Sequence, residues 1–183
     1  MRWDRLLADV EAQGEQQARA EREAEVRERL RIEQSQVPLA ERLAAQTEPV
    51  LLYLRGGRSC QGVVRELGDG WIALDGQFDT SAEQVRIVLA TAAIAQVEGM
   101  RPGRGSLGLA DRLGLGHPLR ELAERGRSVV LHPVSGPSRG GRLGWVGKDF
   151  VELVELNPQG ATHSPVGAVV TIPFSGILAL TAQ

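Results

Sequence analysis

The most constraining feature of this sequence is an internal repeat. Residues 50–74, VLLYLRGGRSCQGVVRELGDGWIAL, align without a gap with residues 129–153, VVLHPVSGPSRGGRLGWVGKDFVEL. Glycines match at turn positions, which a chance similarity in apolar composition does not produce. The matched pairs are Val50–Val129, Leu52–Leu131, Gly57–Gly136, Gly62–Gly141, Val64–Leu143, Gly68–Gly147, Trp71–Phe150 and Leu74–Leu153. Repetition of this kind predicts one structural unit present twice.

The repeat extends in both directions from this segment. Residues 85–97 match residues 168–180, so that Leu89 aligns with Ile172, Ile94 with Ile177 and Val97 with Leu180. Upstream, PLAERLAAQ (38–46) precedes the first copy and PLRELAERG (118–126) precedes the second. Proline suits the first turn of a helix, and Leu and Ala follow at helical spacing. Each copy is therefore predicted to begin with a short helix.

Five short strands are predicted in each copy, bounded by glycine-rich turns. Gly56-Gly57 is a hairpin signal, and Gly62 within the second strand indicates a bend or bulge. The predicted strands are Val50–Arg55, Cys60–Glu66, Trp71–Asp75, Val85–Leu89 and Ile94–Val97, then Ser128–Pro133, Arg139–Trp145, Asp149–Glu155, Val169–Pro173 and Ile177–Leu180. Short, bent strands favour a curved sheet that closes into a small barrel.

This order of elements resembles the Sm-like fold. The leading helix, the hairpin, the glycine-bent second strand and the closing run Val170–Ile177 carry the resemblance over residues 38–98 and 117–182. It implies a mostly β protein with some α structure: two tandem Sm-like or SH3-like five-stranded barrels, each preceded by a short helix. The asparagine-containing base-reading motif of RNA-binding Sm proteins is missing from Glu66–Asp75 and from its counterpart. Their RNA function is therefore not carried over to these residues.

The first 37 residues are predicted to form a separate charged arm, in which residues 4–36 are one long helix. Residues 4–36 contain no proline and alternate in charge, with i,i+4 pairs such as Glu23–Arg27 and Glu25–Arg29. Four apolar side chains near the start form a candidate protein contact: Trp3, Leu6, Leu7 and Val10. The predicted domains are the arm (1–37), the first barrel (38–98), a Gly-rich linker (99–116) and the second barrel (117–183).

No residue pattern points to catalysis, a cofactor or a metal. Gly103–Gly108 fits G-x-G-x-x-G, but a dinucleotide site also needs a surrounding βαβ unit, so we interpret it as linker. His117, His132 and His163 lack metal-ligand spacing. The single cysteine, Cys60, has no nearby base and fits a reducing compartment. The sequence predicts a protein that is not an enzyme.

Arginines near the hairpins are the candidate nucleic-acid contacts. They are Arg55, Arg58, Arg65, Arg139 and Arg142. Arginine side chains of this kind contact phosphates, but carboxylates lie close by in the sequence and the net charge is only -2. Global attraction to nucleic acid or to anionic lipid is therefore not expected.

Taken together, these features predict a cytoplasmic, non-enzymatic module for protein–protein interaction or assembly, built from the duplicated barrels. No membrane segment and no small-molecule substrate is indicated, and a protein partner or self-association is expected. The alternative is binding of RNA or single-stranded nucleic acid through the hairpin arginines.

Overall fold

The structure is a computed structural model that describes residues 2–108, 112–157 and 167–182. Within helix α1, the side chains of residues 2–15, 18 and 20 lie outside this description. The chain divides into two compact units, residues 1–38 and residues 39–183.

Helix α1 (Arg2–Ser35) makes up most of the first unit. Its described side chains are exposed and include three ion pairs: Arg27–Glu23 at 3.6 Å, Arg29–Glu25 at 2.7 Å and Arg31–Glu28 at 3.8 Å. Neighbouring opposite charges one turn apart support a helix that buries little surface. Among the described residues, no helix is both long enough and apolar enough to cross a membrane.

The described part of the second unit contains two short helices and ten strands. The helices are α2 (Leu39–Ala44) and α3 (Gly116–Glu124). The strands are β1 (Val50–Leu54), β2 (Ser59–Gly68), β3 (Trp71–Phe78), β4 (Val85–Ala90), β5 (Ile94–Glu98), β6 (Ser128–Pro133), β7 (Arg139–Val146), β8 (Phe150–Asn157), β9 (Val169–Pro173) and β10 (Ile177–Ala182). Short 3₁₀ turns, Thr91–Ala93 and Phe174–Gly176, join β4 to β5 and β9 to β10.

All ten strands belong to one antiparallel sheet, in the order β5-β1-β2-β3-β4-β10-β6-β7-β8-β9. Strands β1–β5 form the first half of this sheet and β6–β10 the second. Within each half the first strand lies between the second and the fifth, and the third lies between the second and the fourth. The halves meet where β4 pairs with β10.

The predicted fold class of two separate five-stranded barrels is therefore wrong. The sheet continues through the junction because β10 makes backbone pairs on both sides, with β6 on one and β4 on the other. Two separate five-stranded sheets in these strand orders would each leave two unpaired edges, whereas joining the halves pairs one edge of each. We call the β4–β10 pairing the seam.

The two hydrophobic cores also cross the seam. Leu178 and Ala179, from the second half, pack in the core of the first half together with Leu52 and Ile72. In return, Trp71, Ala73 and Val88 of the first half pack in the other core, with α3 and the second half. Successive side chains of a strand point to opposite faces, so each strand beside the seam supplies both cores. The two halves consequently form one packed unit.

Residues 101–105 of the predicted Gly-rich linker pack against α2 and against Gln46, which follows it. The Gly105 N–H donates to the carbonyl of Glu41 at 2.8 Å, and a Cβ at residue 105 would lie 2.7 Å from the Ala44 side chain. The side chain of Gln46 both donates to the Arg101 carbonyl at 3.0 Å and accepts from the Arg101 N–H at 2.8 Å. The absence of a side chain at Gly105 therefore allows its backbone to approach α2 closely.

Candidate functional site

The seam is the contact in this molecule most similar to an interface between two chains. It is antiparallel and continuous over four residue pairs: Leu89–Ala179, Val88–Leu180, Ile87–Thr181 and Arg86–Ala182. Most of these side chains are buried, including Leu89 and Ala179, both at 0% exposure. Backbone hydrogen bonds flanked by buried apolar side chains are the usual means by which one sheet extends another.

Strands β5 and β9 are the two outer strands of this sheet. Strand β5 pairs with β1 on one side, as β10 pairs with β6. Strand β9 pairs with β8 on one side, as β4 pairs with β3. The outer side of β5 therefore corresponds to the side of β10 that forms the seam, and the outer side of β9 corresponds to that of β4.

The composition of β9 gives its edge little protection. Its sequence is VVTIP, without a charged side chain, and Val169 is 57% exposed. Natural edge strands usually carry charges, prolines or bulges that prevent pairing with another chain. Strand β9 has only Pro173, at its end, whereas β5 carries Glu98 and a register irregularity between Ile94 and Gln96. Strand β10 has a similar irregularity, between Ile177 and Ala179, and still forms the seam. Both edges are thus chemically able to accept a further strand.

A polar cluster lies across the two halves near the first hairpin. Arg58 forms an ion pair with Asp79 at 2.9 Å, and its guanidinium lies 5.7 Å from the Phe78 ring centre. Both of these partners belong to the first half of the sheet, as Arg58 does. Arg58 also donates to Ser138 Oγ at 3.0 Å and lies 3.0 Å from His132 Nδ1, both in the second half. The cluster therefore adds specific polar contacts to the apolar seam.

His132 is held as a neutral imidazole. Its ring stacks on Phe78 with centres 4.2 Å apart, and its Nε2 lies 3.3 Å from Thr181 Oγ1. Burial, followed by the nearby Arg58 guanidinium, lowers the pKa of His132 to about 4, although Asp79 acts in the opposite direction. Because Asp79 pairs with Arg58, this carboxylate orients the guanidinium across the junction.

Cys60 is buried in the first core, beside this cluster. Burial raises the pKa of its thiol to about 12, and the charge of Asp79 contributes in the same direction. A thiol in this environment stays protonated near neutral pH and behaves as a small apolar side chain.

Carboxylates neutralise three of the five candidate arginines: Arg58 pairs with Asp79, Arg65 with Asp75 at 2.9 Å, and Arg139 with Glu155 at 2.5 Å. Arg86 joins the second pair by contacting both Asp75 and Glu66. A guanidinium already held by a carboxylate is less available to a phosphate.

Arg55 and Arg142 are exposed. Within the described part of the chain, neither guanidinium has a hydrogen-bond or ion-pair partner. Arg58 contacts Ser138, the residue before Arg139, whereas Arg65 belongs to the separate Asp75 cluster. The structure does not gather the five arginines into one basic surface.

The side chains of Trp3, Leu6, Leu7 and Val10 lie outside the described residues, as does His163. His117 lies 3.3 Å from Glu121, on α3. Within the described ranges, no group of three or more His, Cys, Asp or Glu side chains could hold a metal ion.

Sequence reasoning missed Asp79 and Ser138, and it allowed one edge of each copy to pair internally without identifying the strands that form the seam. Asp79 and Ser138 are single polar residues in turns, and nothing in their spacing links them to Arg58. The seam did leave a signal: VRIVLA in β4 and ILAL in β10 are nearly continuous apolar runs. Such runs are typical of strands buried on both faces.

Comparisons with protein-family models, with curated proteins and with solved structures give no match to this chain.

Proposed function

We propose that this protein is a non-enzymatic assembly module whose partners are further copies of itself, joined through the two open edges of the sheet. The observation that supports this most is the seam. Within one chain, β4 pairs with β10. The corresponding strands, β9 for β4 and β5 for β10, remain at the two ends of the sheet. An assembly contact of the same kind would place β9 of one copy beside β5 of the next.

The sequence alignment predicts the register of that contact. In the seam, Val88 lies opposite Leu180. Val97 aligns with Leu180, and Thr171 aligns with Val88, the residue before Leu89. Val97 of one copy should therefore lie opposite Thr171 of the next. A head-to-tail contact closes into a ring or continues as a filament, depending on the rotation between copies.

Disulfide trapping tests this register directly. Val97→Cys and Thr171→Cys are combined in a Cys60→Ala background, so that the buried native thiol does not interfere. The matched control combines Val97→Cys with Val169→Cys, which keeps the strand faces but moves the second cysteine two residues out of register. Opposite residues of antiparallel strands lie within disulfide reach, whereas residues displaced by two do not.

Mild oxidation should link the in-register variant into covalent multimers and leave the control mostly monomeric. Light scattering on the unmodified protein should show a mass above that of one 19.7 kDa chain, increasing with protein concentration. A single-chain mass at all concentrations, together with equal crosslinking of both variants, would show that the sheet edges do not assemble.

A further inference from the structure

A cleft opens where the seam ends. Leu89 and Ala179 form the last pair of the seam, and beyond them the two strands separate into the 3₁₀ turns Thr91–Ala93 and Phe174–Gly176. The space between these turns has a volume of about 300 Å³. This volume is at the lower end of the range for sites that bind small molecules. Both halves of the sheet contribute to its wall.

The wall of the cleft is apolar, apart from two side chains. Ala93, Leu115, Phe174 and Leu178 supply apolar surface, and Arg55 and Ser175 supply the polar groups. No Asp or Glu is among the described residues that line it. An apolar concave surface with one or two polar groups is the usual composition of a ligand site.

Arg55 is the only charged side chain among the described residues that line the cleft. Its N–H donates to the carbonyl of Ala93 at 2.8 Å, which holds residue 55 beside the first 3₁₀ turn. In contrast to Arg58, Arg65 and Arg139, its guanidinium has no carboxylate partner in the described part of the structure. The cleft therefore combines an apolar wall with an uncompensated positive charge.

We propose that this cleft binds a small apolar carboxylate. A planar guanidinium can donate two parallel hydrogen bonds to a carboxylate, and the apolar wall would cover the attached hydrocarbon. A volume of about 300 Å³ holds roughly ten non-hydrogen atoms, if each occupies about 30 Å³ like a water molecule in the liquid. The carboxylate could belong to a free acid or to the C-terminus of a polypeptide with an apolar last residue.

Amide chemical shifts measured during a titration with hexanoate test the proposal. Hexanoate should shift the signals of Ala93 and Ser175 and saturate in the millimolar range, as expected for a ligand of this size. Hexanamide has the same shape without the charge and should give no saturable shift. Arg55→Gln should weaken hexanoate binding roughly tenfold or more, while Arg142→Gln, which changes an exposed and equally unpaired arginine outside the cleft, should not.

A second comparison separates the two sources of the carboxylate. A short peptide that ends in leucine is titrated as the free acid and as the C-terminal amide. Tighter binding of the peptide acid than of hexanoate would assign the site to polypeptide C-termini, and binding of hexanoate alone would assign it to free acids. The absence of saturable shifts with either acid, or equal binding of hexanoate by Arg55→Gln, would overturn the proposal.

Discussion

Arg58 Nη1 lies 3.0 Å from Nδ1 of His132, and this contact joins the first half of the sheet to the second. Arginine can only donate hydrogen bonds, so Nδ1 must accept and the imidazole must be neutral, with its proton on Nε2. The Ser138 hydroxyl lies 2.8 Å from the same nitrogen, which is consistent with this assignment. Protonation of Nδ1 would place a donor against Arg58 and disrupt the contact.

This contact predicts a pH-dependent stability. The pKa of His132 is lowered to about 4 in the folded state, whereas an unfolded histidine titrates near 6.5. Between pH 7 and pH 5 the unfolded chain therefore binds a proton that the folded chain does not, and this lowers the free energy of unfolding by about 2 kcal/mol. Urea unfolding at the two pH values measures the difference.

The matched variant for this measurement is His132→Gln, which keeps a hydrogen-bonding side chain but cannot titrate. Its free energy of unfolding should change less between pH 7 and pH 5 than that of the unmodified protein. An equal change in both proteins would show that His132 is not the source of the effect.

Cys60 should resist alkylation in the folded protein. Its thiol is 2% exposed and its pKa is raised to about 12, so at pH 8.5 almost none of it is thiolate. Treatment with iodoacetamide followed by mass measurement should show no adduct under native conditions and complete modification in concentrated urea. Rapid labelling of the folded chain would contradict the burial described here.

Two adjacent glycines should respond differently to the same substitution. A Cβ on Gly141 would overlap the carbonyl oxygen of Val154, whereas a Cβ on Gly140 would meet nothing within 4 Å. Gly141→Ala should therefore lower the free energy of unfolding by about 1–3 kcal/mol, and Gly140→Ala should change it by no more than about 0.5 kcal/mol. Chemical denaturation of both variants provides the comparison, and similar losses would show that the backbone relaxes around the added methyl group.

A leucine next to the end of the seam should affect both halves of the sheet. Leu178 belongs to the second half but is buried in the core of the first, with 1% exposure. Leu178→Ala should lower the free energy of unfolding by about 2–5 kcal/mol. Circular dichroism and tryptophan fluorescence should both report one common unfolding transition, shifted by this amount.

Leu156→Ala is the control for this variant, because Leu156 is 45% exposed, and its effect should be within about 0.5 kcal/mol. Two separate transitions in Leu178→Ala, one for each half, would show that the cores are independent.

Local structure was largely predictable from the sequence. The observed strands overlap all ten predicted ranges, and α2 and α3 overlap the two predicted short helices. The matched glycines also have matched surroundings: a Cβ on Gly62 would lie 2.6 Å from the Asp75 carbonyl oxygen, and Gly141 has the same relationship to Val154. Turn glycines and alternating apolar residues are determined by neighbours in the chain, so they can be recognised without knowledge of the tertiary structure.

The relationship between the two halves was decided only by the tertiary structure. Strands β4 and β10 are separated in sequence by most of the second half, and the apolar runs that mark them do not specify a partner. The same applies to Arg58, which meets His132 and Ser138 only because the seam brings the two halves together. The backbone donors and acceptors along a strand edge are the same for almost every residue, so they do not select a partner strand. The sequence alone determined the strands, and the burial of both faces at the seam decided that they form one sheet.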